Sequence, residues 1–252
     1  MLGSDFAVTF WSAGWPLVLL LALLLIALNI FYFDNRRLFL LLEREDWPAL
    51  VRYLEYKVIK RGRYSSRLVR LLANTYLVLS DSAAVISLEN KVAIAKPALV
   101  EENALIFGAA RVLGKDYGGA ADFFALRSRG EKGSDRDWRR WYQGFALLLD
   151  QRFPPAADLY SALVRESSDA VVTGLAAFFL EDTLSKALPD RGFALAEAAG
   201  DGRKRVLAVL RTPAAWAREV SKIQGEVYAA IVSKYIGKAG AWLYEESIHE
   251  KF

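Results

Sequence analysis

Four residues, Trp47, Ser82, Tyr117 and Phe153, stand 35, 35 and 36 positions apart, and each opens an amphipathic run of the same shape. A period of that length, with apolar residues at three- and four-residue steps, predicts helix pairs. One such pair cannot bury its apolar face alone, so successive pairs must stack on one another. The expected fold is therefore all-α: an α-solenoid of the kind that holds other proteins.

The clearest unit runs from Ser66 to Pro97. Its first helix is expected over 67–79, where Leu68, Leu71, Leu72, Thr75, Tyr76 and Leu79 line one face. Ser80-Asp81 interrupts it and offers caps to the next helix, expected over 83–95, which Pro97 ends. Asp46-Trp47-Pro48 starts a shorter partner helix with Leu50 and Leu54 facing inward.

These units resemble the tetratricopeptide repeat. In the unit from Ser66, Leu72-Ala73 stands at the family's Leu-Gly pair, Tyr76 at its mid-helix aromatic, Val85 and Val92 at its small-residue places, and Pro97 at its terminal proline. Glu89 departs from the pattern, standing where the family packs an aromatic. In the next unit Phe107-Gly108, Gly114, Tyr117, Ala120 and Phe124 match in order, and in the last Gly144, Phe153, Ala156 and Tyr160 do so. The resemblance covers about residues 35–165 and implies a protein-binding groove floored by first-helix side chains. It implies Arg70, Asn74, Arg111, Arg140 and Gln143 as partner contacts, and joint charge reversal of Arg70 and Arg111 as the test.

Ahead of the repeats, Phe6 to Phe33 holds no charged residue, and Leu17 to Leu28 is wholly Leu, Ala, Val and Ile. About 20 helical residues cross a hydrocarbon core of about 30 Å. Leu17, Leu20 and Leu24 lie within the stretch, and Trp11, Trp15, Tyr32 and Phe33 bracket it as interfacial aromatics do. The first five residues carry no Lys or Arg and the stretch ends in bulky aromatics, so a retained single-pass anchor is expected in preference to a cleaved signal peptide. Arg36, Arg37 and Arg44 follow the stretch and place the C-terminal part in the cytoplasm by the positive-inside rule, with the periplasm as the alternative. The expected divisions are an anchor over 1–34, repeats over 35–188 and a helical cap over 189–252.

In the cap region a helix is expected over 171–187, with Leu175, Phe178 and Phe179 in the core. A short Ala-rich helix over 192–199 and a loop at Gly200-Asp201-Gly202 follow. A long helix from Pro213 then carries Trp216, Val220, Ile223, Val227, Ile231, Tyr235 and Trp242, and folds back over the last open face. Its stripe of Tyr228, Tyr235 and Trp242 is expected in the core or cap, with docking of a partner as the rival use.

Catalytic chemistry finds little to work with. The chain has no cysteine, and its one histidine, His249, stands three residues from the end. No phosphate-binding loop or dinucleotide turn is present; Gly237-Lys238-Ala239-Gly240 lacks the spacing and the hydroxyl residue. The acidic pairs Glu101-Glu102, Glu181-Asp182 and Glu245-Glu246 point about 100° apart on a helix and read as solvated faces. No catalytic residue, cofactor, metal or small-molecule substrate is expected, and the chain reads as no enzyme.

With a net charge of +4 and a pI near 9.2, the chain suits an anionic leaflet without requiring nucleic acid. Arg127, Arg129, Lys132, Arg136, Arg139 and Arg140, near Trp138 and Trp141, form the one stretch that could stack on bases. Asp135, Asp137 and Glu131 dilute it, and the tryptophans are expected to enter the core. The second cluster, Lys57 to Arg70, suits a leaflet or an acidic partner surface. The expected partners are a protein or neighbouring subunits of an assembly, together with the bilayer. The expected role is that of a membrane-anchored scaffold, with a periplasmic flagellar collar component as the more specific alternative.

Overall fold

The computed structural model describes residues 4–128 and 133–245, with the side chains of 4–14, 31 and 34 excluded. His249, Glu246, Arg129, Gly130, Glu131 and Lys132, and the side chain of Trp11, lie outside the described residues. The described residues are mostly helical, joined by short turns and loops, with no strand among them. The chain divides into two compact units, Met1–Tyr56 and Lys57–Phe252.

Unit 1 holds α1 (Ser4–Glu43) and α2 (Trp47–Glu55). α1 is continuous in sequence, yet its axis bends by 62° between Trp15–Ile30 and Asn35–Glu43. Just before the bend, the Asn29 carboxamide donates to the Leu25 carbonyl at 2.9 Å and competes with the ladder there. Because of the bend, no single helix among the described residues is long and apolar enough to cross a membrane; the bent pair meets that test only in combination. The second half of α1 packs on α2, where Leu50 and Leu54 are fully buried and Arg37 lies 5.6 Å over the Tyr53 ring.

After a π turn (Tyr56–Lys60) that begins at the last residue of unit 1, unit 2 continues with α3 (Ser66–Val78), α4 (Ser82–Ala95), α5 (Ala98–Glu102), α6 (Ala104–Leu113) and α7 (Tyr117–Arg127). Next come α8 (Ser134–Leu149), α9 (Phe153–Glu166), α10 (Ala170–Phe179), a π turn (Leu180–Leu184) and α11 (Ser185–Ala187). A 3-10 turn (Pro189–Arg191), α12 (Gly192–Val209), α13 (Pro213–Ile223), α14 (Val227–Ile231) and α15 (Ser233–Tyr244) complete the unit.

One turn recurs four times and explains the period. Glu45, Ser80, Lys115 and Gln151 adopt φ of 52°, 58°, 63° and 60°. Two residues before each register mark, the left-handed position closes the preceding helix. The residue after it donates its N–H five places back, from Asp46 to Leu41, Asp81 to Tyr76, Asp116 to Arg111 and Arg152 to Leu147, at 2.8–3.1 Å. Asp46, Asp81 and Asp116 then cap the next helix by accepting from Ala49, Ala84 and Gly119. In the fourth turn Arg152 offers no such acceptor, but Pro154 and Pro155 remove two donors from the first turn of α9. Trp47, Ser82, Tyr117 and Phe153 are thus the first residues of α2, α4, α7 and α9.

Within unit 2 the pairs α3–α4, α6–α7 and α8–α9 each pack together, α4 packs on α6, and α7 packs on α8. Two glycines permit close approach. A Cβ on Gly108 would sit 2.1 Å from the Phe124 ring, and one on Gly144 would sit 2.5 Å from the Tyr160 ring. Trp138 and Trp141 are fully buried, and they join Tyr142, Phe145, Tyr160 and Phe179 in an aromatic interior. The stripe of Tyr228, Tyr235 and Trp242 closes on the same interior, against Trp138, Phe179 and Phe178 respectively.

Two expectations for the C-terminal part are corrected. Gly200-Asp201-Gly202 is no loop; α12 runs through it, because a bare Gly202 lets the helix press on Val164 and Ala177, where a Cβ would meet atoms at 2.8–2.9 Å. The expected long helix is three helices. Trp216 of α13 lies against Gly240 of α15, a contact a continuous helix could not make.

Candidate functional site

The polar groups of unit 2 gather at two places. The first is an open cleft of about 80 Å³ where α3, the α5–α6 junction, α8 and α14 meet. Arg70 reaches into it from α3, its Nε–H directed at Asn103 Oδ1 at 3.5 Å and its guanidinium 3.8 Å from Glu226. Asn103 is fixed in turn, donating to the Leu99 carbonyl at 2.8 Å and to Ser66 Oγ at 3.3 Å. Asn74, one helical turn from Arg70, leaves its Oδ1 buried with no hydrogen-bond partner among the described residues. Arg139 enters from α8 and donates to the carbonyls of Arg127 and Glu101 at 3.1 and 3.0 Å. Asp135, Glu102 and Tyr228 complete the wall.

Tyr228 has its phenol pushed up to about 12, by burial first and then by the charges of Glu226, Asp135 and Asp169, with Arg70 opposing. It therefore keeps its proton at neutral pH. Its backbone carbonyl accepts from the buried Tyr142 hydroxyl, whose pKa burial also raises. Guanidinium, carboxylate, carboxamide and phenol groups of both signs line the cleft, which suits hydrogen bonding to a polar surface. No group of three or more His, Asp or Glu able to hold a metal ion occurs among the described residues.

The second place is internal. Glu89 is only 5% exposed, and it accepts from Arg111 Nη1 at 2.5 Å with Arg127 at 3.9 Å. Both guanidiniums also lie over the Phe123 ring, Arg111 at 4.3 Å and Arg127 at 3.9 Å from its centroid. Arg127 Nε stands 3.3 Å from Glu101 Oε1 but lacks hydrogen-bond alignment. A buried carboxylate left unpaired is strongly destabilising, so this cluster serves folding.

The five proposed partner contacts therefore do not form one row. Arg70 and Asn74 share the cleft. Arg111 belongs to the internal cluster, and its charge reversal would set a carboxylate against buried Glu89, so the paired reversal of Arg70 and Arg111 is not a clean binding test. Arg140, mostly buried, is paired with Glu166 at 2.8 Å, a contact that also lowers the Glu166 pKa. Gln143 is half-buried on α8. Asn103, Asp135, Arg139, Glu226 and Tyr228 were not foreseen as cleft residues, because positions so far apart in sequence carry no shared local signal. The anchor residues Trp15, Leu17, Leu20, Leu24 and Tyr32 are all exposed on α1 of unit 1.

A protein family described as "Uncharacterised Treponema protein" matches residues 84–245. A relative from Treponema pallidum (strain Nichols), itself described as an uncharacterized protein, is 29% identical over 246 residues, covering 92% of this chain and 78% of that protein. These matches overturn the tetratricopeptide assignment: the Leu, Gly, Tyr, Ala and Pro positions behind it are what any tightly packed helix hairpin requires. The chain belongs to the family of uncharacterised Treponema proteins.

Proposed function

We propose that this chain is a non-enzymatic scaffold held in a bilayer by the apolar part of α1. In this reading the hairpins of unit 2 form a short α-solenoid closed by α13–α15, and the cleft at Arg70 and Asn74 receives a protein partner or a neighbouring subunit. By the positive-inside rule, Arg36, Arg37 and Arg44 put the C-terminal part in the cytoplasm.

The observation that carries the proposal is the exposure, on every side, of the 15–30 stretch of α1. Trp15, Leu17, Val18, Leu19, Leu20, Leu21, Leu23, Leu24, Leu25, Ile26, Leu28 and Ile30 are all exposed within one helix. Covering each such side chain is worth about 1.5–3 kcal/mol, and contiguous apolar surface of that extent marks a membrane or partner contact. Crossing by a bent helix is compatible with this, since the 62° bend falls after the Trp15–Ile30 segment.

The test is a photo-reactive side chain placed at Asn74, or at exposed Lys204 as control, in the full chain within native membranes. A discrete cross-linked species is expected from position 74 only, and Arg70→Glu should remove it. Identical species from both positions, or none from position 74, would reject the cleft as the contact.

A further inference from the structure

Charge is unevenly spread along this chain. Between Arg36 and Arg70 stand ten Lys/Arg and four Asp/Glu, a net +6 in a chain whose total is +4. From Lys57 to Arg70 the imbalance is complete: Lys57, Lys60, Arg61, Arg63, Arg67 and Arg70 occur without one acidic residue. Crowded like charges repel and raise the local potential. Lys60, Arg61, Arg63, Arg67 and Arg70 are exposed, and Gly62, at φ 64°, turns the chain between two of them. Arg70 has Glu226 at 3.8 Å, whereas Lys60, Arg63 and Arg67 form no ion pair with any described residue.

The starting point of the run is informative. In unit 1, α2 returns along the second half of α1, with Tyr53 beside Arg37. Arg37 lies two residues inside the straight Asn35–Glu43 segment, about 3 Å along its axis from the bend. Tyr56 lies three residues beyond Tyr53 in the opposite direction, about 4.5 Å. Unit 1 therefore brings its last residue back to about the start of the Asn35–Glu43 segment, just past the bend that follows the apolar Trp15–Ile30 segment, and Lys57 is the next residue in the chain.

We propose that Lys57–Arg70 binds the acidic phospholipid headgroups of the leaflet that holds α1, an inference that rests on the anchor reading. A cluster of four to eight Lys/Arg next to a membrane helix recognises anionic lipid through charge alone. Tyr64 is the one aromatic within the run, which gives bases little to stack on and favours lipid over nucleic acid.

The natural absence of cysteine makes the test direct. The full chain carrying Ser65→Cys, labelled with a fluorophore, is reconstituted into phosphatidylcholine vesicles with and without phosphatidylglycerol, each containing a headgroup-linked quencher. Quenching should rise with phosphatidylglycerol and vanish near 1 M salt, where the Debye length is about 3 Å. The K60Q/R63Q/R67Q variant should bind the anionic surface about a hundredfold more weakly. Equal quenching in both vesicles, with the chain still floating with them, overturns this surface and leaves the anchor standing. A chain that floats with neither vesicle removes the anchor reading and this inference together. Variant-sensitive retention on single-stranded DNA without any lipid response assigns the run to nucleic acid and overturns the proposal.

Discussion

The same substitution is expected to have opposite effects at two helical glycines. An alanine at Gly108 would place its Cβ 2.1 Å from Phe124 Cζ. Carbon atoms prefer about 3.5–4.0 Å, so the ring tip must retreat by roughly 1.5 Å. It has little room to do so: Phe124 is fully buried, stacked on Tyr142 at 5.5 Å and edge-on to Phe123 at 5.6 Å. Overpacking of this kind costs about 1–3 kcal/mol, against about 1 kcal/mol gained in helix propensity. For a steep clash the net is about 2 kcal/mol lost, a melting temperature lower by about 4–8 °C for a domain of this size. Gly200, inside α12, has open space where its Cβ would stand. Gly200→Ala should therefore gain about 0.5–1 kcal/mol. Thermal melts of the full chain in mild detergent, followed by circular dichroism, would read both. Adding Phe124→Leu to Gly108→Ala should recover part of the loss. If Gly108→Ala melts at or above Gly200→Ala, the close-approach argument is wrong.

The recurring turn makes Lys115→Gly stabilising by about 1 kcal/mol, since Lys115 holds φ at 63° where glycine meets no Cβ penalty; an unchanged or lower denaturation midpoint would count against it. Arg111→Met should cost about 3 kcal/mol by leaving Glu89 with only the more distant Arg127, and Glu89→Gln in the same chain should restore much of it. Urea titrations of the two variants give the coupling directly. Buried Tyr142 and Tyr160, held high by burial and neighbouring tyrosines, and Tyr228, pushed up to about 12, resist ionisation when folded. The unfolded chain ionises near pH 10, so stability should be intact below about pH 10 and fall as pH climbs toward the folded values. A urea midpoint that stays flat between about pH 8 and pH 11 would contradict this.

The helix starts were readable because each is specified locally. Asp46, Asp81 and Asp116 cap the helices they precede, and the apolar spacing resumes at once. Trp138 and Trp141 were readable as core for the same reason: they fall on the apolar face of α8. What could not be read depends on contacts across the fold. Gly200-Asp201-Gly202 has the composition of a turn, and only Val164 and Ala177 of α9 and α10 show why Gly202 sits inside a helix. The three-, four- and seven-residue steps persist from Trp216 to Trp242, concealing breaks after Ile223 and Ile231 where α13 and α15 fold together. Cleft residues drawn from Arg70, Asn103, Asp135 and Glu226 had no common pattern to betray them. The 62° bend in α1 was equally hidden, since composition reports apolarity and not the path of the axis.

The account rests on the apolar part of α1 lying in lipid. Leu24→Cys and Lys204→Cys chains, otherwise free of cysteine, would be exposed in open membrane fragments to a bulky water-soluble maleimide, before and after detergent. The account predicts that both chains are recovered in the membranes, that position 204 labels at once, and that position 24 labels only after detergent. Recovery outside the membranes, or labelling of position 24 as fast as position 204 without detergent, would contradict it.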